Sequence, residues 1–489
     1  MPLEFSTIAS MRFGFGRSAT TPVTANADQL MAELQTAAGE PPLFMPSIEA
    51  YRSQALDAAA EMADLQRAAK DDPTQRAAVR DYRRTLVRAG RKTLSQRLLQ
   101  PVVSPNAFYE RLVAFWFDHF SVSTAKNLMT AAMVPLFEAE AIRPNVAGDF
   151  VTLLTAAVTH PAMLFYLDQA TSVGPDSLAV ADGKGKRGIN ENLGREMIEL
   201  HTLGAHSGYT QTDVRQAAMV LTGLTVDRKA MEAVYRPRLA QPGDFTVLDR
   251  DYGGKKRQMA DTTNLLADLA ADPRTRHHIC LKLASHFVAD DPPQSLVGDM
   301  EAAWEKSDGD LSEVYKVLLT HPDQLKAPLT KAKRPFEFVV SGLRALDVAA
   351  SPLMAGMTDE DGAEAMGGND MSMMAPQPTG KDDVKRRRRL RNLTVAAINR
   401  MGQPIWNPSS PAGFGDRAEE WINASQLTER IAWCRNAVQL FGGDRDPRAF
   451  VDAVLADAAG DNTRKVVSQA PSRPYGLTLV LASPEFNRR

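Results

Sequence analysis

The run Ile48-Glu49-Ala50-Tyr51-Arg52-Ser53-Gln54-Ala55-Leu56-Asp57-Ala58-Ala59-Ala60-Glu61-Met62-Ala63-Asp64-Leu65-Gln66-Arg67-Ala68-Ala69-Lys70 decides the fold class. It contains no Gly or Pro and is dominated by the residue types that lose least on entering a helix. It is moderately amphipathic, so it is expected to pair with a second run of the same character over 75–100. Pro101 and Pro105 should end that unit, because proline lacks the N–H a helix needs. Further helices are expected over 106–121, 127–141, 146–157, 188–203, 211–222, 261–270, 274–288, 295–306, 310–319, 335–347, 386–400, 424–440 and 447–457. Tyr235–Arg238 and Phe245–Leu248 flank the turn Gln241-Pro242-Gly243-Asp244. The chain therefore reads as all-α (mainly α), a large multi-helix, bundle-like body with at most a small β-hairpin near 235–248.

Composition excludes several classes. The 489 residues carry 57 Lys+Arg and 59 Asp+Glu, a net charge of -2, without the basic excess of a nucleic-acid-binding protein. No apolar run approaches the roughly 20 residues of a membrane helix. Two cysteines, Cys280 and Cys434, make neither a disulfide framework nor a cysteine-rich zinc site. Glu4 and Ser6 interrupt the start, no apolar secretory region follows, and there is no twin-arginine pair. The expected address is cytoplasmic, with export bound to a signal-bearing partner as the alternative.

Residues 351–384 break the helical pattern with Gly, Pro and aperiodic Met, the mark of a flexible insertion. The expected organisation is a helical body over 1–350, the insertion over 351–384, and a C-terminal helical part over 385–489 packing on the same body. The run Lys385-Arg386-Arg387-Arg388-Arg389 beside Asp382 and Asp383 reads as a solvated or salt-bridging helix face.

Four stretches carry a family resemblance. They are Phe115-Trp116-Phe117-Asp118-His119-Phe120-Ser121-Val122-Ser123; Asn190-Glu191-Asn192-Leu193-Gly194-Arg195-Glu196-Met197-Ile198-Glu199-Leu200-His201-Thr202-Leu203-Gly204, running on to Gly223; Lys282-Leu283, His286-Phe287 and Asp290-Asp291-Pro292-Pro293 with Lys333-Arg334-Pro335-Phe336-Glu337-Phe338; and Met401-Gly402-Gln403-Pro404 with Pro411-Ala412-Gly413-Phe414 and Ser483-Pro484-Glu485-Phe486. Together they resemble the bacterial domain-of-unknown-function family numbered eighteen hundred. The resemblance implies a largely helical protein with no activity to carry over. It also implies a possible partner, because the family's genes often neighbour one for a secreted protein of the sulfatase/alkaline-phosphatase-like class. Members often have a His-Asp pair before the Pro-Gly turn; here the comparable place is Ala240-Gln241, so a role for that pair does not transfer directly.

The residues themselves offer a candidate polar site. On a wheel of about 100° per residue, Ile189, Leu193, Met197, Leu200 and Leu203 form the core stripe of the 188–203 helix. Glu196 falls inside that stripe, with Asn192 and Glu199 on its edge, while Glu191, Arg195 and Glu199 form a ladder beside it. A carboxylate on a core face must be paired, metal-bound or protonated. In the 106–121 helix, Phe108, Leu112 and Phe115 define an apolar face that also carries His119, flanked by Asp118. If the two helices pack together, His119 could meet Glu196. Such a pair could run acid–base chemistry, hold a divalent metal or form a buried structural hydrogen bond. The candidate catalytic set is thus Glu196, Glu199, Asn192, His119, Asp118 and Arg195.

His278, Lys282 and His286 at i, i+4, i+8 read as a solvent-facing helix edge, with metal or anion contacts as the alternative, Gly183–Gly188 as a loop that only loosely resembles a phosphate cradle, and Thr210 with Asp213 as a capping box. Two functions remain open: a helical partner or scaffold acting with a sulfatase/phosphatase-like neighbour, or a hydrolase or lyase using a carboxylate–histidine site, with a divalent metal as one variant.

Overall fold

The computed structural model describes residues 3–183, 188–254, 256–349, Leu353 and 381–489. Most of the 351–384 stretch and the centre of the Gly183–Gly188 loop lie outside the described residues. The chain is mainly helical, as its residue propensities require. The helices that frame the site are α1 (Ile48–Asp71), α2 (Arg76–Val103), α3 (Ala107–His119), α4 (Asn192–Ile198), α5 (Gln211–Val220), α6 (Pro273–Phe287), α7 (Pro335–Ala345), α8 (Lys381–Asn392) and α9 (Ala424–Phe441). Among the described residues, no helix is long and apolar enough to cross a membrane.

Local chemistry explains where the elements start and stop. Ser47 caps α1 by accepting from the Ala50 N–H, and Thr210 and Asp213 form a reciprocal capping box on α5. These bonds satisfy backbone donors that the first helical turn leaves open. The α2 helix does not stop at Pro101; it runs through it to Val103. A proline this close to a helix end disturbs only the last turn. The buried Arg344 guanidinium donates to the carbonyls of Pro101 at 2.8 Å and Ser104 at 2.9 Å, so the open C-terminal acceptors are satisfied from α7.

The β structure differs in place from the expected hairpin. There are two antiparallel ribbons, β1 (Leu224–Asp227) with β2 (Glu232–Tyr235), and β3 (Gly243–Val247) with β4 (Arg250–Gly254). Phe245 pairs with Tyr252 rather than with the stretch before Pro242. The turn between β3 and β4 is Leu248-Asp249, both at positive φ (50° and 62°). Tight hairpin turns need that geometry, and Asn-Gly is its usual signature; Leu-Asp hides it.

Buried apolar side chains form two clusters. The first gathers residues from Ile8 to Leu319 together with Trp406. The second gathers Met11, Phe15, Leu98, Leu99 and Val102 with residues from Phe336 to Phe486, so sequence on both sides of 351–384 contributes to it. In the second cluster α7 and α9 approach closely: a Cβ added at Gly342 would lie 2.3 Å from the Trp433 ring. Gly342→Ala is therefore expected to destabilise the fold by about 1–3 kcal/mol despite alanine's better helix propensity. Urea denaturation of the two proteins checks this, and an unchanged midpoint would show that the Trp433 ring can move aside.

Candidate functional site

The last turn of α3 carries Asp118 and His119 to different partners. Phe108, Leu112, Phe115 and Trp116 bury one broad face of this helix, and His119 lies within it at 1% exposure. Its Nε2–H donates to the His201 carbonyl at 3.2 Å, and its Nδ1 accepts from Lys282 Nζ at 3.1 Å. That pairing fixes one tautomer of a neutral ring. Burial first, then the charge of Lys282, pushes the His119 pKa well below its ordinary value. The same two causes lower His201 to about 3 and His278 to about 4. The rings of His201 and His278 each lie 6.3 Å from that of His119. Gly204 follows this group at φ +89°, and a Cβ there would meet His278 Nδ1 at 2.7 Å, so only glycine lets the backbone approach the ring.

Asp118 joins a buried charge network. Its Oδ2 accepts from Arg334 Nη1 at 2.6 Å and its Oδ1 from the Phe414 N–H at 2.9 Å. Gly413 lets that loop close, because a Cβ there would sit 2.5 Å from the Asp118 carbonyl oxygen. Glu337, at the start of α7, is the hub. It pairs with Arg111, with Arg489 at 2.7 Å and with Arg334 at 3.5 Å, and it accepts from the Arg334 N–H at 3.0 Å. Burial raises the Glu337 pKa, but the three arginines outweigh it and hold the carboxyl well below the usual range. Asp416 extends the network to Arg489 at 3.2 Å, His286 Nδ1 at 3.2 Å and Lys331 at 3.0 Å. Beside Asp118 a cleft of about 60 Å³ is lined by Arg97, Asp118, Ser121, Arg334, Gln403 and Phe414, among others. Ser121 Oγ and Arg97 Nη1 are buried there without a hydrogen-bond partner.

The site proposed from the helical period is thus divided. Asp118 and His119 lie on one helix turn, but Glu196, Glu199, Asn192 and Arg195 do not join them. The cause is a change of helix type. The expected 188–203 helix is α-helical only over Asn192–Ile198 and becomes a π-helix over Glu199–Leu203. The wider π turn rotates every later side chain off the α wheel. The buried face becomes Leu193, Gly194, Met197 and Ile198, followed by His201, Thr202 and Leu203. Leu200, inside the π segment, leaves the buried face and is only half-buried; Glu196, in the α segment before it, lies at the edge of the Leu193–Met197 face, also half-buried. It is His201, not Glu196, that reaches His119. Burial and then the Glu199 charge raise the Glu196 pKa, which Arg195 partly offsets. Glu199 accepts from the Tyr209 hydroxyl at 2.6 Å, Arg195 donates to Gln211 at 2.8 Å, and Asn192 is exposed.

The i, i+4, i+8 row on α6 is not a solvent edge. His286 is buried, and His278 and Lys282 are half-buried against α3 and the π turn. The spacing was a usable signal, but only packing shows which face of α6 turns inward. Among the described residues, no group of three or more His, Cys, Asp or Glu is placed to hold a metal ion.

Histidines 119, 201, 278 and 286 all have depressed pKa values in the fold, so the unfolded chain binds more protons. Stability is complete above the unfolded histidine pKa of about 6.5 and is lost as pH falls below it. A urea series from about pH 8 to about pH 5 should show a falling midpoint before carboxylates titrate, and His201→Leu should flatten the slope; a flat wild-type series contradicts it. Glu337→Gln, which leaves Arg111, Arg334 and Arg489 without their shared anion, should cost about 3–5 kcal/mol in the same assay at neutral pH.

No curated protein and no solved structure matches the chain. One family model does, over residues 8–488. It covers the Asp118–His119 turn, the π turn with His201, and the Arg334–Glu337 hub. The chain belongs to that family, DUF1800, described as proteins of unknown function.

Proposed function

We propose that the protein is a helical partner or scaffold that docks another protein through the α1–α2 hairpin. One observation carries the reading. The helix α1 has 24 residues and α2 has 28, about 36 and 42 Å at 1.5 Å per residue. Yet α1 buries only Ala55 and Met62, and the buried residues of α2 all lie between Ser95 and Val102. The base is anchored by Tyr51, which donates to the Ala132 carbonyl at 3.3 Å, and by Arg52, which pairs with Glu140 at 2.5 Å. Beyond that base the two helices pack on each other. Two long helices that add little to the protein's own core supply surface for something else. The partner class we propose is the sulfatase/alkaline-phosphatase-like protein implied by the family's gene neighbours. Co-expression and affinity purification test the reading. A stable complex is expected with the intact chain, and its loss when residues 64–88 are replaced by a short Gly-Ser turn. No complex with the intact chain sinks the proposal.

A second reading, a hydrolase or lyase, has one observation in its favour: the buried, unpartnered Ser121 Oγ and Arg97 Nη1 beside the Asp118 cleft. Such groups call for a polar ligand or water. Ser121→Ala removes a hydroxyl that makes no protein hydrogen bond, so it should change stability by less than about 0.5 kcal/mol. Loss of the cellular phenotype in that well-folded variant supports a ligand site; an unchanged phenotype removes the role of Ser121 in it.

A further inference from the structure

The cleft beside Asp118 lies among the buried end of α2, the residues just after α3, the start of α7 and the loop over 403–408. Its ions are already paired. Arg97 Nε meets Glu138 at 2.6 Å, and that carboxylate also accepts from Trp406 Nε1 at 2.7 Å. Arg334 is answered by Asp118 at 2.6 Å and by Glu337 at 3.5 Å. What the cleft leaves open is hydrogen-bonding capacity, not charge. Ser121 is 1% exposed and Arg97 4%, yet among the described residues neither Ser121 Oγ nor Arg97 Nη1 has a hydrogen-bond partner. Both side chains line the same cleft, whose remaining wall is largely apolar, with Phe117, Phe336 and Ile405 among its residues. Buried donors are rarely left open without a ligand or a water to meet them.

We infer that this cleft binds a small neutral amide group of a ligand, its carbonyl oxygen accepting from Arg97 Nη1 and Ser121 Oγ and its alkyl ends lying on Phe117, Phe336 and Ile405. The inference rests on the ligand-site reading above and names the ligand's chemistry. A carbonyl oxygen carries two lone pairs, so one atom answers both donors. A carboxylate would add an anion beside Asp118 and Glu337, facing guanidinium groups that already serve a carboxylate each. An ammonium would set a donor against Arg97 Nη1. The amide N–H has acceptors as well: each Asp118 oxygen takes one bond, from Arg334 or from the Phe414 N–H, and a carboxylate oxygen accepts more than one. Size agrees. The cleft holds about 60 Å³, where a single water needs about 10–15 Å³, so it takes one short acylamino group and not a whole large ligand.

The test titrates the full chain with N-methylacetamide and follows the δ1 methyl signal of Ile405 by NMR. Acetate, methylammonium and 2-butanone, which has the amide's shape without its N–H, are the controls at the same pH and ionic strength. Saturable binding on the order of millimolar is expected for the amide. Acetate and methylammonium should bind at least about tenfold more weakly, and 2-butanone about threefold or more. Ser121→Ala should weaken the amide about threefold to tenfold with an unchanged urea midpoint. Ala114→Leu, which extends a cleft-lining side chain into the space, should abolish binding. Absence of saturable binding, any control bound as tightly as the amide, or an affinity indifferent to Ser121→Ala overturns the inference, whether or not Ala114→Leu folds. The cellular phenotype separates the two levels. If Ser121→Ala abolishes the phenotype but the amide does not bind, the amide assignment fails and the ligand-site reading stands. If the amide binds as stated and the phenotype is unchanged, the chemistry of the cleft stands and the role of Ser121 in a hydrolase or lyase fails.

Discussion

A single buried carboxylate, Glu337, among three arginines is the constraint on which the rest of the structure depends. Arg111 comes from α3, Arg334 from the entry to α7 and Arg489 from the final residues. An ion in a low-dielectric interior is tolerated only when its partners and hydrogen bonds are all in place. Three distant parts of the sequence must therefore converge within salt-bridge distance. Arg334 passes the requirement on to Asp118, and Arg489 passes it on to Asp416 and His286. A second buried network, Arg143 with Glu110 and Glu138, and Arg97 with Glu138, works the same way deeper in the first cluster. Because a buried ion pair adds little net stability over apolar packing, its effect is chiefly on which arrangement forms.

Beside this network stands a group of bases. His119, His201, His278 and Lys282 gather together, with the charges of Asp118 and Asp416 acting on Lys282, and burial lowers the pKa of each histidine. Adjacent positions on one helix turn thus differ in kind: Asp118 belongs to a buried ion network, His119 to a cluster of imidazoles around Lys282. The hairpin differs again. From Arg80 to Arg91 the arginines of α2 are exposed to water, where an isolated pair contributes little to stability.

The sequence carried much of the helical architecture. Alanine-rich runs, Thr210 with Asp213, and the apolar face of Phe108, Leu112 and Phe115 all appear where local propensity and periodicity place them. It failed where a local rule has an exception that leaves no local mark. Pro101 lies inside α2 because Arg344, far along the chain, satisfies the carbonyls around it. Leu248-Asp249 makes a tight turn without glycine. The π turn at Glu199–Leu203 cannot be seen on an α wheel, so Glu196 was given the inward place that His201 holds.

By itself, then, the sequence determined that the chain is mainly helical, that it belongs to one family over nearly its whole length, and that Asp118 and His119 sit on the end of a largely buried helix. Those properties depend on neighbours a few residues apart. Only the tertiary structure decided that His119 meets His201 and Lys282, that Asp118 meets Arg334, and that α2 exposes Arg80 to Arg91 but buries Arg97 against Glu138. Periodicity states which residues share a face. It does not state which face another helix covers, and that choice is made by contacts between residues as far apart as Asp118 and Phe414.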